Sequence, residues 1–197
     1  MMRKIPVGIS GRHVHLTKEH LEILFGKGYE LTKFKDLSQP GQYAAEEKVT
    51  VVSPQGLALE GVRILGPVRP QSQVEISKSD AIRYKFEAPV RSSGDIKGSG
   101  ACKLIGPKGE VELNEGVIIA DRHIHFSLEE AKEFGVKDKD IVSIKISGEK
   151  PGILDNILCR VHENFRLDCH LDTDDGAAFL LKNGDTVELV KKYIIVE

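Results

Sequence analysis

Residues 11–17 read GRHVHLT and residues 121–127 read DRHIHFS, so one Arg-His-x-His stretch occurs in each half of the chain. Each copy ends in Thr or Ser, residue types that cap helix N-termini. Side chains two positions apart point to the same face of a strand but to nearly opposite sides of a helix. Each copy therefore predicts a short strand that presents two imidazoles together and leads into a helix. The repetition predicts two related halves.

Most of the remaining sequence is typical of short strands. Apolar and β-branched runs occupy residues 48–52, 62–65, 116–120, 141–146 and 186–190. Pro and Gly supply turn signals between them, as at residues 53–56 and 106–109. Short strands with a turn signal about every ten residues favour a closed barrel or a sandwich. The fold class is therefore predicted to be mainly β.

Few helices are expected, and each is short and capped. Thr17 should cap residues 18–25, and Ser127 should cap residues 128–134 in a capping box with Glu130. Ser77 and Asp172 are expected to cap two more, the last one running toward residues 183–184. The Gly- and Ser-rich residues 91–100 are expected to form a surface loop, with a ligand-wrapping loop as the alternative.

Composition restricts the class of protein. The chain has 197 residues, with 28 Lys and Arg against 30 Asp and Glu and a net charge of -2. This balance argues against partners such as nucleic acid or an acidic membrane surface. No apolar run approaches the roughly 18 residues of a membrane span, and no apolar segment follows the positive charges of residues 1–6. We therefore expect a cytoplasmic protein.

The three cysteines support the same expectation. Cys102, Cys159 and Cys169 are odd in number and form no C-x-x-C pair. This usage is typical of a reducing compartment, in which cysteines act as small buried side chains. A chain of this length buries about 70% of its unfolded surface without disulfides or a structural metal. Any bound metal is therefore expected to be functional.

The paired histidines are candidate metal ligands. The pairs are His13 with His15 and His123 with His125. A catalytic zinc usually has three protein ligands, so each pair needs one more. Glu75 and His170 are the candidates, because each stands two residues before a predicted cap, as His15 and His125 do. A surface glutamate and a core histidine remain the alternatives for these two residues. Zinc suits such sites best, with iron, cobalt or manganese possible.

Two glutamates offer a competing metal motif. Glu19 and Glu129 complete H-x-H-x-x-x-E patterns that are similar to a cupin metal motif. Both also fall in the first turn of a predicted helix, where the helix dipole favours acidic residues. We therefore interpret them as helix-capping charges. His20 and His162 have no partner at ligand spacing and are expected to be surface residues.

Several blocks resemble one enzyme family. Residues 5–16, 36–42, 62–67, 73–77 and 122–125 closely resemble the PduL-type phosphate acyltransferase family, and the match runs from about residue 5 to the C-terminus. The resemblance implies a phosphotransacylase that interconverts acyl-CoA and phosphate with acyl phosphate and CoA. Propanoyl-CoA and acetyl-CoA are the implied substrates. A homodimer is also implied.

The resemblance also implies a fold and a set of site residues. The fold is two tandem small β-barrels with short capping α-helices, one formed by residues 1–12 with 121–197 and the other by residues 13–120, with the active site at their interface. One zinc ion would be held by His13, His15 and Glu75, and a second by His123, His125 and His170. Arg69 would contact phosphate, and Ser10, Lys35, Arg63 and Leu65 would line the CoA pocket.

The chain departs from the family pattern in two places. Residues 172–177 read DTDDGA where the family commonly reads DTDEAN, so Ala177 replaces an Asn that could contact the pocket. Members associated with bacterial microcompartments often begin with an amphipathic extension. This chain starts almost directly at its first predicted strand, so microcompartment packaging is not expected.

The predicted mechanism is direct attack of phosphate on the thioester. Zinc would stabilise oxyanion or thiolate charge, and the planar fork of Arg69 would hold phosphate better than a lysine. No Ser-His-Asp or Cys-His set stands out, so no covalent acyl-enzyme is expected. The alternatives are a metal-dependent hydrolase and a cupin-like binding barrel. Release of CoA from acetyl-CoA distinguishes these three functions. It would require phosphate for the acyltransferase, would be independent of phosphate for the hydrolase, and would be absent for the binding barrel.

Overall fold

The computed structural model describes residues 4–190. Within this range the strands are β1 (Lys4–Ser10), β2 (His13–His15), β3 (Lys33–Asp36), β4 (Tyr43–Val52), β5 (Ala58–Gly66), β6 (Gln73–Glu75), β7 (Val90–Arg91), β8 (Gly100–Ile105), β9 (Glu110–Ala120), β10 (His123–Phe126), β11 (Ile141–Ile146), β12 (Gly152–Val161), β13 (Asp168–Asp172) and β14 (Thr186–Val190). The helices are α1 (Lys18–Phe25), α2 (Lys78–Tyr84), α3 (Leu128–Phe134) and α4 (Thr173–Phe179).

The chain divides into two compact units. The terminal unit combines the described parts of Met1–Ser10 and Asp121–Glu197 with the short segment Ser38–Pro40. The central unit consists of Gly11–Leu37 and Gly41–Ala120.

Six strands of the terminal unit close into a barrel. Their order is β1-β13-β10-β12-β11-β14, and antiparallel pairing of β14 with β1 completes the circle. Ile124, Phe126 and Ile144 are fully buried in its core. The side chain of Gln39 anchors the short segment, because its Nε2 donates to the carbonyl of Arg166 at 2.9 Å and its Oε1 accepts from the Arg166 N–H at 3.2 Å.

Six strands of the central unit also close into a barrel. Their order is β4-β5-β2-β6-β9-β8, and β8 closes the circle by pairing with both β9 and β4. β3 and β7 extend this sheet alongside β4 and β9. Val14, Leu16 and Leu104 are fully buried in the core. The two barrels and their short helices confirm the predicted mainly β fold class.

All four predicted caps start a helix. Thr17, Ser77, Ser127 and Asp172 each accept a hydrogen bond from the backbone N–H three residues further on. Ser127 and Glu130 form the predicted capping box. These bonds are local, which is why the sequence predicts them well.

The predicted end of the last helix is wrong. Helix α4 stops at Phe179 rather than running toward residues 183–184. Asn183 instead accepts a hydrogen bond from the Ile9 N–H through Oδ1 at 2.7 Å, and the Gly184 N–H donates to the carbonyl of Val7 at 3.0 Å. The segment after the helix is therefore held along β1, a long-range contact that helix signals do not reveal.

Among the described residues, no helix combines the length and the apolar character needed to cross a lipid bilayer. Residues 1–3, on which the expectations about a leader and an encapsulation extension partly rest, lie outside the described residues.

Candidate metal centres

Strands β2 and β10 present the paired histidines. Val14 and Ile124, between the two members of each pair, are fully buried in the barrel cores. Strand alternation therefore places both histidines of a pair on the face away from the core. The ring centroids of His13 and His15 lie 5.0 Å apart. This spacing brings their ring nitrogens close enough to bind one metal ion.

Strand register adds a third residue to each pair. β2 runs antiparallel to β6, which places His13 opposite Glu75. β10 runs antiparallel to β13, which places His123 opposite His170. Each residue of the groups His13–His15–Glu75 and His123–His125–His170 offers one ligand atom, and within a group these atoms lie within 4.8 Å of one another. The family resemblance implies both groups as ligand sets, and the structure assembles one in each unit.

Hydrogen bonds orient the central group. Nδ1–H of His13 donates to the carbonyl of Gly11 at 2.8 Å, so Nε2 is the nitrogen that carries a lone pair when the ring is neutral. That Nε2 lies 3.4 Å from Oε2 of Glu75. Nδ1 of His15 is buried and has no hydrogen-bond partner within the described part of the chain. Three ligand side chains therefore converge, and one of them has a buried ring nitrogen without a hydrogen bond among the described residues.

Two members of the central group, His15 and Glu75, have protonation states that suit a cation. Burial, helped by the charges of His13 and Arg69, lowers the pKa of His15 to about 3, so its ring is neutral at physiological pH. Burial favours the neutral form of Glu75, but the adjacent His13 outweighs it and holds the pKa of this carboxyl well below its ordinary value. Neutral imidazole and ionised carboxylate are the forms that bind metals.

The terminal group follows the same plan. Nδ1–H of His123 donates to the carbonyl of Asp121 at 2.8 Å, as His13 does to Gly11. Burial lowers the pKa of His125 to about 2, so this ring is also neutral. Among the described residues, Nδ1 of His125 and Nε2 of His170 are buried without a hydrogen-bond partner. The latter lies 3.1 Å from Oδ2 of Asp168, but not in a hydrogen-bonding alignment.

The residues present therefore fit metal ions in both groups. Within residues 4–190, three buried ring nitrogens lack hydrogen bonds, which is costly unless another partner binds them. The donors are five imidazoles and one carboxylate, a set that suits zinc and also cobalt, iron or manganese.

Arg69 lies beside the central group. Its backbone N–H donates to the carbonyl of Leu16 at 2.8 Å, and its NH1 donates to Oγ of Ser93 at 3.2 Å. Its charge also favours the neutral rings of His13 and His15. Burial is the largest influence on both pKa values, but the adjacent Glu75 leaves the pKa of His13 raised overall. A partly buried guanidinium at this position can bind an anion next to the ligand group.

The residues predicted to contact CoA fall in both units. Lys35 on β3 and Leu65 on β5 both pair with Ala44 of β4, so the three lie in one row across the sheet of the central unit. Arg63 lies opposite His13 on β2, donates to the carbonyl of Ala45 and has its guanidinium carbon 4.8 Å from the ring centroid of Phe34. Ser10 lies in the terminal unit on β1, opposite Asp172.

The competing glutamates do not join either group. Glu19 and Glu129 are exposed in the first turns of α1 and α3, where the sequence predicts them as helix-capping charges. The prediction that His20 is a plain surface residue is wrong. It is half-buried, and its Nδ1 lies 2.7 Å from Oγ of Ser72, which also accepts the Thr17 N–H. Ala177, at the position of the family's Asn, is exposed on α4.

Sequence reasoning misses three residues that contact the third ligands. Gln73 donates from Nε2 to Oε1 of Glu75 at 2.5 Å, and Ser93 donates to the same oxygen at 2.8 Å. Asp168 contacts His170 as described above. A signal exists for two of them, because Gln73 and Asp168 stand two residues before Glu75 and His170 on the same strand and so share a face with them. For Ser93, in the loop of residues 91–100, the sequence contains no such signal.

The sequence is similar to one known family over most of its length. The family profile described as phosphate propanoyltransferase matches residues 6–182. A phosphate propanoyltransferase of Thermotoga maritima is 53% identical over 195 residues, covering 97% of this chain and 92% of that protein.

Two further relatives carry the same name. That of Lachnoclostridium phytofermentans is 51% identical over 186 residues, covering 94% of this chain and 87% of that protein. That of Priestia megaterium is 50% identical over 182 residues, covering 92% and 83%. The resemblance drawn from the histidine motifs is confirmed, and the chain belongs to the phosphate propanoyltransferase family.

Proposed function

We propose that this chain is a phosphate propanoyltransferase. It interconverts propanoyl-CoA and phosphate with propanoyl phosphate and CoA. Membership of the family over residues 6–182 carries this proposal. The two groups of metal-ligand type support it, because a reaction that develops charge on oxygen and sulfur benefits from cations.

We further propose that each three-residue group holds one zinc ion and that both ions serve one reaction. His13, His15 and Glu75 would hold the first ion, and His123, His125 and His170 the second. As a Lewis acid, bound zinc stabilises the negative charge that develops on the carbonyl oxygen or on the departing sulfur. The unsatisfied ring nitrogens of His15, His125 and His170 support this assignment.

Arg69 has the task of holding phosphate. Its planar guanidinium can donate two parallel hydrogen bonds to one phosphate, which fixes the orientation of the attacking oxygen. The contact with Ser93 restricts the guanidinium before phosphate arrives. The attacking oxygen forms a C–O bond to the acyl carbon while the C–S bond breaks. The proton of the phosphate monoanion or dianion ends on the CoA sulfur, so the reaction balances without another reactant.

The acyl group is proposed to pass directly from sulfur to phosphate. Cys102, Cys159 and Cys169 are all buried and unpaired by disulfides. Burial raises the pKa of Cys102 and of Cys159 to about 12 and that of Cys169 further still. The thiolate is the nucleophilic form of cysteine, so none of these thiols is suited to accept the acyl group.

Three finer properties are part of the proposal. Acetyl-CoA serves as a second substrate, since one methylene in a pocket discriminates by only about 1–3 kcal/mol. The protein works as a homodimer in the cytoplasm, as the resemblance to the family implies. Steady-state kinetics with both thioesters and light scattering of the purified protein test the first two properties.

Release of CoA from propanoyl-CoA tests the proposed function. We expect release that requires phosphate and yields propanoyl phosphate in equal amount. Release without phosphate would favour the metal-dependent hydrolase, and no release with metal bound would favour the binding barrel. Glu75→Gln should abolish the activity, whereas Glu19→Gln should retain it, because Glu19 is exposed and lies outside the ligand group.

A further inference from the structure

The carboxylate of Glu75 has two oxygens with different surroundings. Oε1 accepts hydrogen bonds from Nε2 of Gln73 at 2.5 Å and from Oγ of Ser93 at 2.8 Å. Oε2 faces Nε2 of His13 at 3.4 Å. Two donors thus occupy Oε1, which lies 3.9 Å from Nε2 of His15, whereas Oε2 is the oxygen closer to a ligand histidine.

The donors to Oε1 are themselves held in fixed directions. The Gly94 N–H donates to Oε1 of Gln73 at 2.7 Å, which turns the NH2 end of this amide toward Glu75. The same NH2 group also donates to Oγ of Ser93 at 3.0 Å. Gln73 is 2% exposed, so water does not compete strongly for its amide.

The hydroxyl of Ser93 is at the centre of this network. A hydroxyl has one hydrogen and two lone pairs. Its hydrogen goes to Glu75, and it accepts from Gln73 and from NH1 of Arg69 at 3.2 Å. All of its hydrogen-bonding capacity is used. One side chain therefore joins the carboxylate ligand to the arginine proposed to bind phosphate.

We propose that Ser93 and Gln73 are positioning residues that reserve Oε2 of Glu75 for a metal ion and link this ligand to Arg69. The proposal deepens the proposed function and rests on it for the role of Arg69. Groups that hydrogen-bond to metal ligands typically change metal affinity by about 10- to 100-fold. The loop of residues 91–100 is then part of the site rather than a plain connector.

The test compares three serine variants of the full-length protein. Ser93→Ala removes the hydroxyl, and Ser93→Thr keeps it. Ser99→Ala is the matched control, because Ser99 lies in the same loop and its hydroxyl bonds to backbone groups, accepting from the Gly116 N–H and donating to the carbonyl of Ile96. The readouts are zinc affinity by competition with a chromophoric chelator, the visible spectrum of the cobalt-substituted protein, and KM for phosphate separately from kcat.

We expect Ser93→Ala to weaken the affinity for one of the two zinc ions about 10- to 100-fold, to change the cobalt spectrum and to raise KM for phosphate. Ser93→Thr should restore all three, and Ser99→Ala should leave them unchanged. Wild-type zinc affinity and cobalt spectrum in Ser93→Ala would overturn the proposal. So would an equal effect of Ser99→Ala, because the effect would then belong to the loop as a whole.

A second variant keeps the test decisive if Ser93→Ala does not fold. Gln73→Met removes the amide at similar length and should weaken the same zinc ion, whereas unchanged affinity would overturn the proposal. The metal readouts need no acyl-CoA. If the wild-type protein is inactive but Ser93→Ala weakens zinc affinity, the proposed function alone is refuted. If the wild-type protein is active but Ser93→Ala leaves zinc affinity unchanged, the positioning role alone is refuted.

Discussion

Arg69→Ala should impair the use of phosphate far more than the binding of metal. The guanidinium is partly buried and NH1 is held by Ser93 at 3.2 Å, so it is oriented before phosphate binds. A hydrogen bond to a charged group contributes about 1.5–3 kcal/mol. At about 1.4 kcal/mol per factor of ten, each such bond that is lost corresponds to roughly a 10- to 150-fold rise in KM for phosphate, so the variant should show at least this rise.

The zinc content should stay at the wild-type level in the same variant. Arg69 is not in either ligand group, and its backbone bond to Leu16 does not depend on the side chain. Its charge helps to keep His15 neutral, but burial is the larger cause of the lowered pKa. Removing the charge therefore leaves the ligand in its metal-binding form.

The assay follows CoA release from propanoyl-CoA at varied phosphate, with zinc measured on the same samples. Arg69→Lys keeps the charge but loses the planar fork, so it should recover only part of the lost phosphate affinity. Arg83→Ala is the matched control, because Arg83 is an exposed arginine of the same unit. An unchanged KM for phosphate in Arg69→Ala would refute the assignment of this side chain.

Three further predictions concern the terminal group, the central barrel and the metals. Asp168→Asn should weaken the binding of one zinc ion, because it removes a carboxylate whose Oδ2 lies 3.1 Å from Nε2 of His170. Gly8→Ala should also weaken zinc binding, because a Cβ at residue 8 would lie 3.0 Å from Oδ2 of Asp168. Zinc affinity is measured by competition with a chelator, and wild-type affinity in both variants would contradict a role of Asp168 in metal binding. Glu47→Gln should lower the free energy of unfolding by about 1–2 kcal/mol near pH 7, because the Thr32 N–H donates to both carboxylate oxygens of Glu47. Burial favours the neutral form of Glu47, but these hydrogen bonds outweigh burial and hold the pKa of Glu47 below its ordinary value. The loss of unfolding free energy in Glu47→Gln should therefore be complete above the pKa that Glu47 has in the unfolded chain. It should vanish as the pH falls through the pKa that Glu47 has in the folded protein. Urea unfolding near pH 7 and near pH 3 measures this, and an equal loss at both would count against it. Finally, dialysis against a chelator should abolish CoA release, and added zinc should restore it; full activity without metal would exclude a role for the ions.

Local features of the fold could be predicted from the sequence. Each helix cap depends on a bond that spans three residues, so Thr17 and Ser127 mark helix starts without knowledge of the fold. Strand alternation similarly places His13 and His15 on one face. The third ligands were harder to predict, because spacing alone does not distinguish a ligand at Glu75 from a surface glutamate. The strand register, which the sequence does not reveal, places Glu75 opposite His13.

Contacts between distant parts of the chain could not be predicted. Ser93 lies 18 positions from Glu75 and belongs to a Gly- and Ser-rich stretch whose composition favours a surface loop over a ligand-wrapping one. The end of α4 was misplaced for the same reason, because Asn183 is held by Ile9, 174 positions away. In both cases a side chain that looks like ordinary turn chemistry is held by a partner that only the fold brings near.

The metal stoichiometry of the purified protein tests the central claim most directly. Zinc should be present at two ions per chain, and His13→Ala and His123→Ala should each bind one ion while His162→Ala, at an exposed histidine outside both groups, binds two. If the wild-type protein binds no metal at full activity, or if the two ligand variants keep both ions, the claim that each group holds a catalytic zinc is wrong.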